Sequence, residues 1–86
     1  GASMATLMMF TPFSREGTQV AALNDLLHQY GPYIVGRMGV PYREKGVNII
    51  SVAMDAPGDV ISALSGKLGR LEGVIAKTAY APAGSV

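Results

Sequence analysis

The chain has 86 residues, of which 49% are hydrophobic and 15% charged, with a net charge of +1. That length holds a single core, and the apolar balance excludes an intrinsically disordered chain. The near-neutral charge gives no electrostatic footprint for nucleic acid, so no direct nucleic-acid binding is expected. No apolar run reaches the roughly 18 residues of a membrane span, and no membrane association is expected either.

Gly1-Ala2-Ser3 ahead of Met4 reads as a cloning remnant, which leaves residues 4–81 as one domain and 82–86 as a frayed tail. Ala5–Phe10 is a short apolar run, read as a first strand and too short for the core of a signal peptide. Pro12, Ser14 and Gly17 mark a loop over 11–17. Thr18 is a helix cap, and Val20, Leu23, Leu27 and Tyr30 then follow at spacings of three, four and three, one helical face. Gly31-Pro32 ends that helix, with Gly31 as a left-handed cap and Pro32 as the breaker. Tyr33–Tyr42 reads as a second strand weakened by Gly36 and Gly39, and Glu44-Lys45-Gly46 as a hairpin turn. Val47–Met54, rich in β-branched residues, is the clearest strand. Asp55–Asp59 is a turn that places Pro57 at the first position of a second helix. Val60, Ile61, Leu64 and Leu68 form that helix's apolar stripe, Gly69 or Gly73 closes it, and Val74–Tyr80 is the last strand.

The order β-α-β-β-α-β contains an approximate internal repeat. Val20, Leu23, Leu27 and Tyr30 match Ile61, Leu64, Leu68 and Leu71 at an offset of 41 residues. Two βαβ halves with right-handed crossovers give an α+β, ferredoxin-like sandwich: a four-stranded antiparallel sheet with two helices on one face. The other face should be polar in a monomer. Strand three instead alternates Asn48, Ile50, Val52 and Met54 with Val47, Ile49, Ser51 and Ala53, and neither set is charged. Strand two alternates Ile34, Gly36, Met38 and Val40 with Tyr33, Val35, Arg37 and Gly39. A domain this small, without disulfide or metal, gains its stability most readily from a partner subunit. The reading is therefore a homo-oligomer, dimer or tetramer, hiding the open face or joining sheet edges. A monomer with a mildly apolar face is the plainer alternative.

With no cysteine, a disulfide scaffold, a thiolate metal site and a cysteine nucleophile are excluded, and a cytoplasmic location is expected. Gly66-Lys67 fails as a phosphate loop, because Ile61 stands where a glycine is needed and Leu68 where Ser or Thr is needed. Lys67 is then a helix-end lysine favoured by the dipole. His28 is the single histidine and has only Asp25 within helical reach, while Asp55, Gly58 and Asp59 lack the alternating ligands of a calcium loop. No metal and no cofactor are predicted. The stretch Gly36–Gly46 carries the most information: glycines that admit a ligand or a neighbouring strand, Arg37, Arg43 and Lys45 as an anion-binding cluster, and Tyr42 as a stacking surface. The candidate ligand-binding residues are Arg37, Gly39, Tyr42 and Arg43, with Lys67 outside the cluster. An ordinary hairpin with solvated charges is the alternative.

Arg37-Met38-Gly39-Val40-Pro41-Tyr42-Arg43-Glu44-Lys45-Gly46-Val47-Asn48-Ile49-Ile50-Ser51 closely resembles the core of the iron-only hydrogenase system regulators. Leu64-Ser65-Gly66-Lys67-Leu68-Gly69-Arg70-Leu71-Glu72-Gly73-Val74 is also similar to that family's pattern, so the resemblance runs from strand one through strand four. Members are similar to the ACT domain and to the C-terminal domain of the nickel-responsive regulator. The resemblance implies a small cytoplasmic homo-oligomer with a regulatory role, binding a small effector or partner at a subunit interface. Nickel binding of that regulator's kind needs several histidines and a cysteine, and this chain has His28 and no cysteine. No ribbon-helix-helix segment is expected ahead of strand one, and DNA binding by this chain alone is not expected. The rival readings are a small enzyme of the cofactor-free oxygenase type, for which Asn48, Tyr33 and His28 are the polar candidates, and a purely structural assembly module.

Overall fold

The computed structural model describes residues 2–12 and 18–81. Most of the expected 11–17 loop, the side chains of the Thr18 cap and of Val20, and the 82–86 tail lie outside this description. The elements are β1 (Ala2–Pro12), α1 (Thr18–Gln29), a 3-10 turn over Gly31–Tyr33, β2 (Ile34–Tyr42), a second 3-10 turn over Arg43–Lys45, β3 (Val47–Pro57), α2 (Gly58–Gly69) and β4 (Ile75–Tyr80). The strands form one antiparallel sheet in the order β2-β3-β1-β4. This is the ferredoxin-like, ACT-like βαββαβ arrangement.

The core lies between the helices and one face of the sheet. Leu7 and Met9 of β1 and Val52 and Met54 of β3 meet Leu23 and Leu27 of α1 and Ile61, Leu64 and Leu68 of α2. Leu23 and Leu27 of the first stripe and Ile61, Leu64 and Leu68 of the second are thus buried, while Val60, Tyr30 and Leu71 are partly buried against them. Each fully buried Leu or Ile contributes roughly 1.5–3 kcal/mol of transfer free energy. Short hydroxyl contacts tie α2 to the outer strand: Ser65 Oγ lies 2.8 Å from Thr78 Oγ1, and Ser62 Oγ lies 3.3 Å from the Tyr80 hydroxyl.

Several local expectations change. Ala2 and Ser3 extend β1, pairing with Pro57 and Ala56, so β3 runs on through the expected turn at Asp55–Pro57. Pro57 is extended (φ −56°, ψ 146°) and stands just before α2 rather than in its first turn. Gly31 takes no left-handed conformation; a 3-10 turn follows the helix directly, and the Tyr33 N–H donates to the Tyr30 carbonyl at 3.0 Å. The left-handed positions among the described residues are Gly46 (φ 65°), which closes the β2–β3 connection, and Gly73 (φ 79°), which turns the chain from α2 into β4. A side chain is disfavoured at both. The alternation of β2 also breaks. A register shift between Ile34 and Gly36 leaves Val35 unpaired, so Ile34 sits opposite Met54 on the helix side while Gly36 sits opposite Ala53 on the open side. Among the described residues, no helix is long and apolar enough to cross a membrane.

Candidate functional site

The pairing registers arrange the open face of the sheet in rows, since directly opposed residues share a face. One row runs Val40, Ile49, Phe10, Ile75, apolar from edge to edge. The next runs Met38, Ser51, Met8, Lys77, and the third is made of small residues: Gly36, Ala53, Thr6, Ala79. Across these three rows Lys77, on the edge strand β4, carries the one charge. Met38 is 63% and Ile75 61% exposed, so large apolar side chains stand at both edges of this face. The apolar side chains are contiguous from edge to edge, unlike the single scattered apolar residues of an ordinary surface.

The helix side of β2 is different. Residues of α1 and of β2 line a groove between them. Arg37, opposite Val52, reaches across this groove, and its Nη2 donates to Asn24 Oδ1 at 3.1 Å. Asn24 follows the buried Leu23 in sequence and so borders the apolar stripe of α1. The Arg37–Asn24 bridge separates two cavities. One, of about 250 Å³, is lined by Gly39, Pro41, Asn48 and Ile50 together with the bridge. The other, of about 350 Å³, is lined by Leu27, His28, Gly31 and Ile34 together with the bridge. A Cβ added at Gly39 would meet nothing within 4 Å, so glycine there leaves open space rather than a close backbone contact. Thr11, the register partner of Asn48 on β1, is 1% exposed, and its hydroxyl oxygen has no hydrogen-bond partner among the described residues.

Of the residues singled out in the sequence, Arg37 and Gly39 line one cavity. Tyr42 stands at the far end of β2 on the open side, opposite Val47, and donates from its hydroxyl to Glu44 Oε2 at 3.4 Å. Arg43 and Lys45 lie in the 3-10 turn beyond it. Six residues of mostly extended chain separate Arg37 from Arg43, about 20 Å at the rise of a strand, so the basic residues do not converge. Lys67 belongs to the other helix, where its Nζ donates to the Tyr30 hydroxyl at 2.9 Å and lies 5.2 Å from that ring's centre. His28 and Asn48 line different cavities, on either side of the bridge. Among the described residues no three His, Asp or Glu side chains come together as a metal site. Asn24 and Asn48 are the groove residues that sequence spacing did not assign to a ligand site with Arg37. The signal for Asn24 was its place beside Leu23, at the margin of the helical stripe.

Comparison with known proteins sharpens this picture. A sequence profile described as "TM1266-like: Iron-only hydrogenase system regulator, putative" matches residues 13–78. The structure of uncharacterized protein TM1266 from Thermotoga maritima is similar at a TM-score of 0.86 and 32% identity, over 93% of this chain and 98% of that one. A formyltetrahydrofolate deformylase from Pseudomonas putida KT2440 shares the fold at a TM-score of 0.62 and 21% identity, over 92% of this chain and 29% of that one. No match is found among curated proteins.

Proposed function

This chain belongs to the TM1266-like family of iron-only hydrogenase system regulators, and from that premise we propose that it is a regulatory module that self-associates and binds a small effector beside β2. One observation carries the reading. The alternation of β2 puts Arg37 and Gly39 in the groove and Met38 and Val40 on the open apolar face, so one strand belongs to both surfaces. As the sheet's edge strand, β2 is held by pairing to β3 alone. A ligand that shifts Arg37 or Gly39 also shifts Met38 and Val40, and occupancy of the groove then changes how copies dock. A partner copy is the natural cover for the open face. Four strands about 4.8 Å apart, over about seven residues of strand rise, give a flat footprint on the order of 450 Å² before side-chain relief is counted. A standard interface hides roughly 800 Å² of accessible surface per partner, so the flat footprint is somewhat over half of it and side-chain relief must supply the rest.

The test joins a thermal-shift screen of amino acids, nucleotides and metal ions to light scattering on the same samples. The reading expects at least one compound that raises the melting temperature and changes the scattering mass, with both effects lost in Arg37→Ala. A blank screen on an assembled protein would point instead to a purely structural assembly module. The enzyme reading draws no support from the geometry, because His28 and Asn48 face separate cavities and Tyr33 lies in the 3-10 turn that leads into β2.

A further inference from the structure

We infer that the groove between α1 and β2 takes a small organic monocarboxylate with an apolar tail, its carboxylate seated on the Arg37 guanidinium. The inference rests on the effector-site reading above and gives that effector a chemistry. A guanidinium offers five N–H donors in a planar fork and pairs best with a planar two-oxygen anion. In this groove Arg37 donates to a neutral acceptor, Asn24 Oδ1, and among the described residues neither cavity beside the bridge is lined by an Asp or a Glu. The Asn24 contact fixes the guanidinium while leaving its other donors for an incoming anion. Asn48 places a second amide in the smaller cavity. Thr11, the register partner of Asn48, has a buried hydroxyl with no partner among the described residues at the same end of the layer.

The rest of the lining selects among anions. Pro41 and Ile50 supply apolar contact, and the open space over Gly39 gives the tail room. A volume of about 250 Å³ falls below the usual range for drug-sized ligands and suits a short branched acid. Among the described residues neither a lysine nor a second arginine lines the groove, which disfavours phosphate, a doubly charged anion usually held by several cations or a nest of backbone N–H groups. A zwitterionic amino acid is disfavoured too, because its ammonium finds no acidic side chain among the described residues of the lining.

The experiment is an amide NMR titration of the full chain with four probes: 3-methylbutanoate, its neutral analogue 3-methylbutanamide, L-leucine and inorganic phosphate. The expected result is saturable shifts at Asn24, Gly39 and Asn48 with 3-methylbutanoate, and weaker or unsaturable shifts with the other three. Arg37→Gln should weaken 3-methylbutanoate binding by about tenfold or more, since a charge-assisted pair is lost. If that variant gives a poorly dispersed spectrum, Arg37→Lys keeps the charge, loses the fork and should still bind several-fold more weakly. No saturable shift with 3-methylbutanoate would overturn the inference, as would equal affinity for the amide, tighter binding of phosphate or leucine, or wild-type affinity in the Arg37 variants. Sedimentation run in parallel separates this inference from the one beneath it. Carboxylate binding with unchanged assembly upholds the ligand class and refutes the coupling to docking. A change in assembly caused by another compound, with no carboxylate binding, upholds the coupling and overturns the ligand class.

Discussion

The two faces of this sheet are built from similar residues and lead to opposite outcomes. On the helix side, Leu7, Met9, Val52 and Met54 are fully buried by α1 and α2 within the same chain. On the open side, Met8, Phe10 and Ile49 are half-buried by their neighbours, and Met38, Val40 and Ile75 stand exposed. The first face makes the fold. The second is surplus to it, and an 86-residue chain rarely keeps such a surface without a use for it. Strand β2 is where the contrast is sharpest, because α1 leaves its helix side partly uncovered and the strand shows polar and apolar residues to opposite sides.

The comparison can be broken most directly through the core. Leu64→Ala removes a fully buried side chain and should destabilise the domain by about 2–5 kcal/mol in denaturant titrations. Met38→Ala on the other face should change the stability of the dilute chain by less than about 0.5 kcal/mol. Equal losses would erase the distinction between the faces. Next in size, Ile49→Lys places a charge in the middle of the apolar row. It should weaken self-association by about 2–4 kcal/mol, read by sedimentation equilibrium, while circular dichroism stays native. An unchanged association constant would mean that copies dock elsewhere.

Smaller effects sharpen the account. Gly46→Ala forces a side chain into φ 65° and should cost about 1–2 kcal/mol in thermal unfolding, whereas Gly36→Ala, with φ not positive and open space over its Cα, should cost little in the isolated fold. Ser65→Ala leaves the Thr78 hydroxyl without its 2.8 Å partner and should cost about 1 kcal/mol. Least of all, Lys67→Met removes an exposed hydrogen bond and ring contact to Tyr30 and should cost no more than about 0.5–1 kcal/mol.

Much of the fold was legible because it rests on periodicity. The repeat that aligned Leu23 and Leu27 with Leu64 and Leu68 picked out residues that all reach the core. Strand three announced both of its faces correctly, Ile50, Val52 and Met54 turning inward. Strand two misled at one end, because period-two reasoning assumes an unbroken ladder. The extra residue at Val35 moved Ile34 to the helix side, and nothing in the local pattern except Gly36 hinted at it. Gly31 misled for a related reason: a glycine-proline pair marks an end to the helix without fixing the turn that follows. The groove was half legible. Arg37 and Gly39 stood out by composition, but their partners Asn24 and Asn48 come from another helix and another strand. Thirteen residues separate Asn24 from Arg37, a pairing that only the packing of α1 beside β2 brings about. Arg43 looked equivalent to Arg37 in sequence because spacing along an extended strand is easily underestimated.

On the reading proposed above, another copy of the chain covers the open face of the sheet. Sedimentation equilibrium of the unmodified protein, from micromolar to millimolar concentration, tests it most directly. A species of at least twice the 9.0 kDa chain mass is expected over most of that range. A single 9.0 kDa particle persisting at the highest concentration, well folded and soluble, would contradict it.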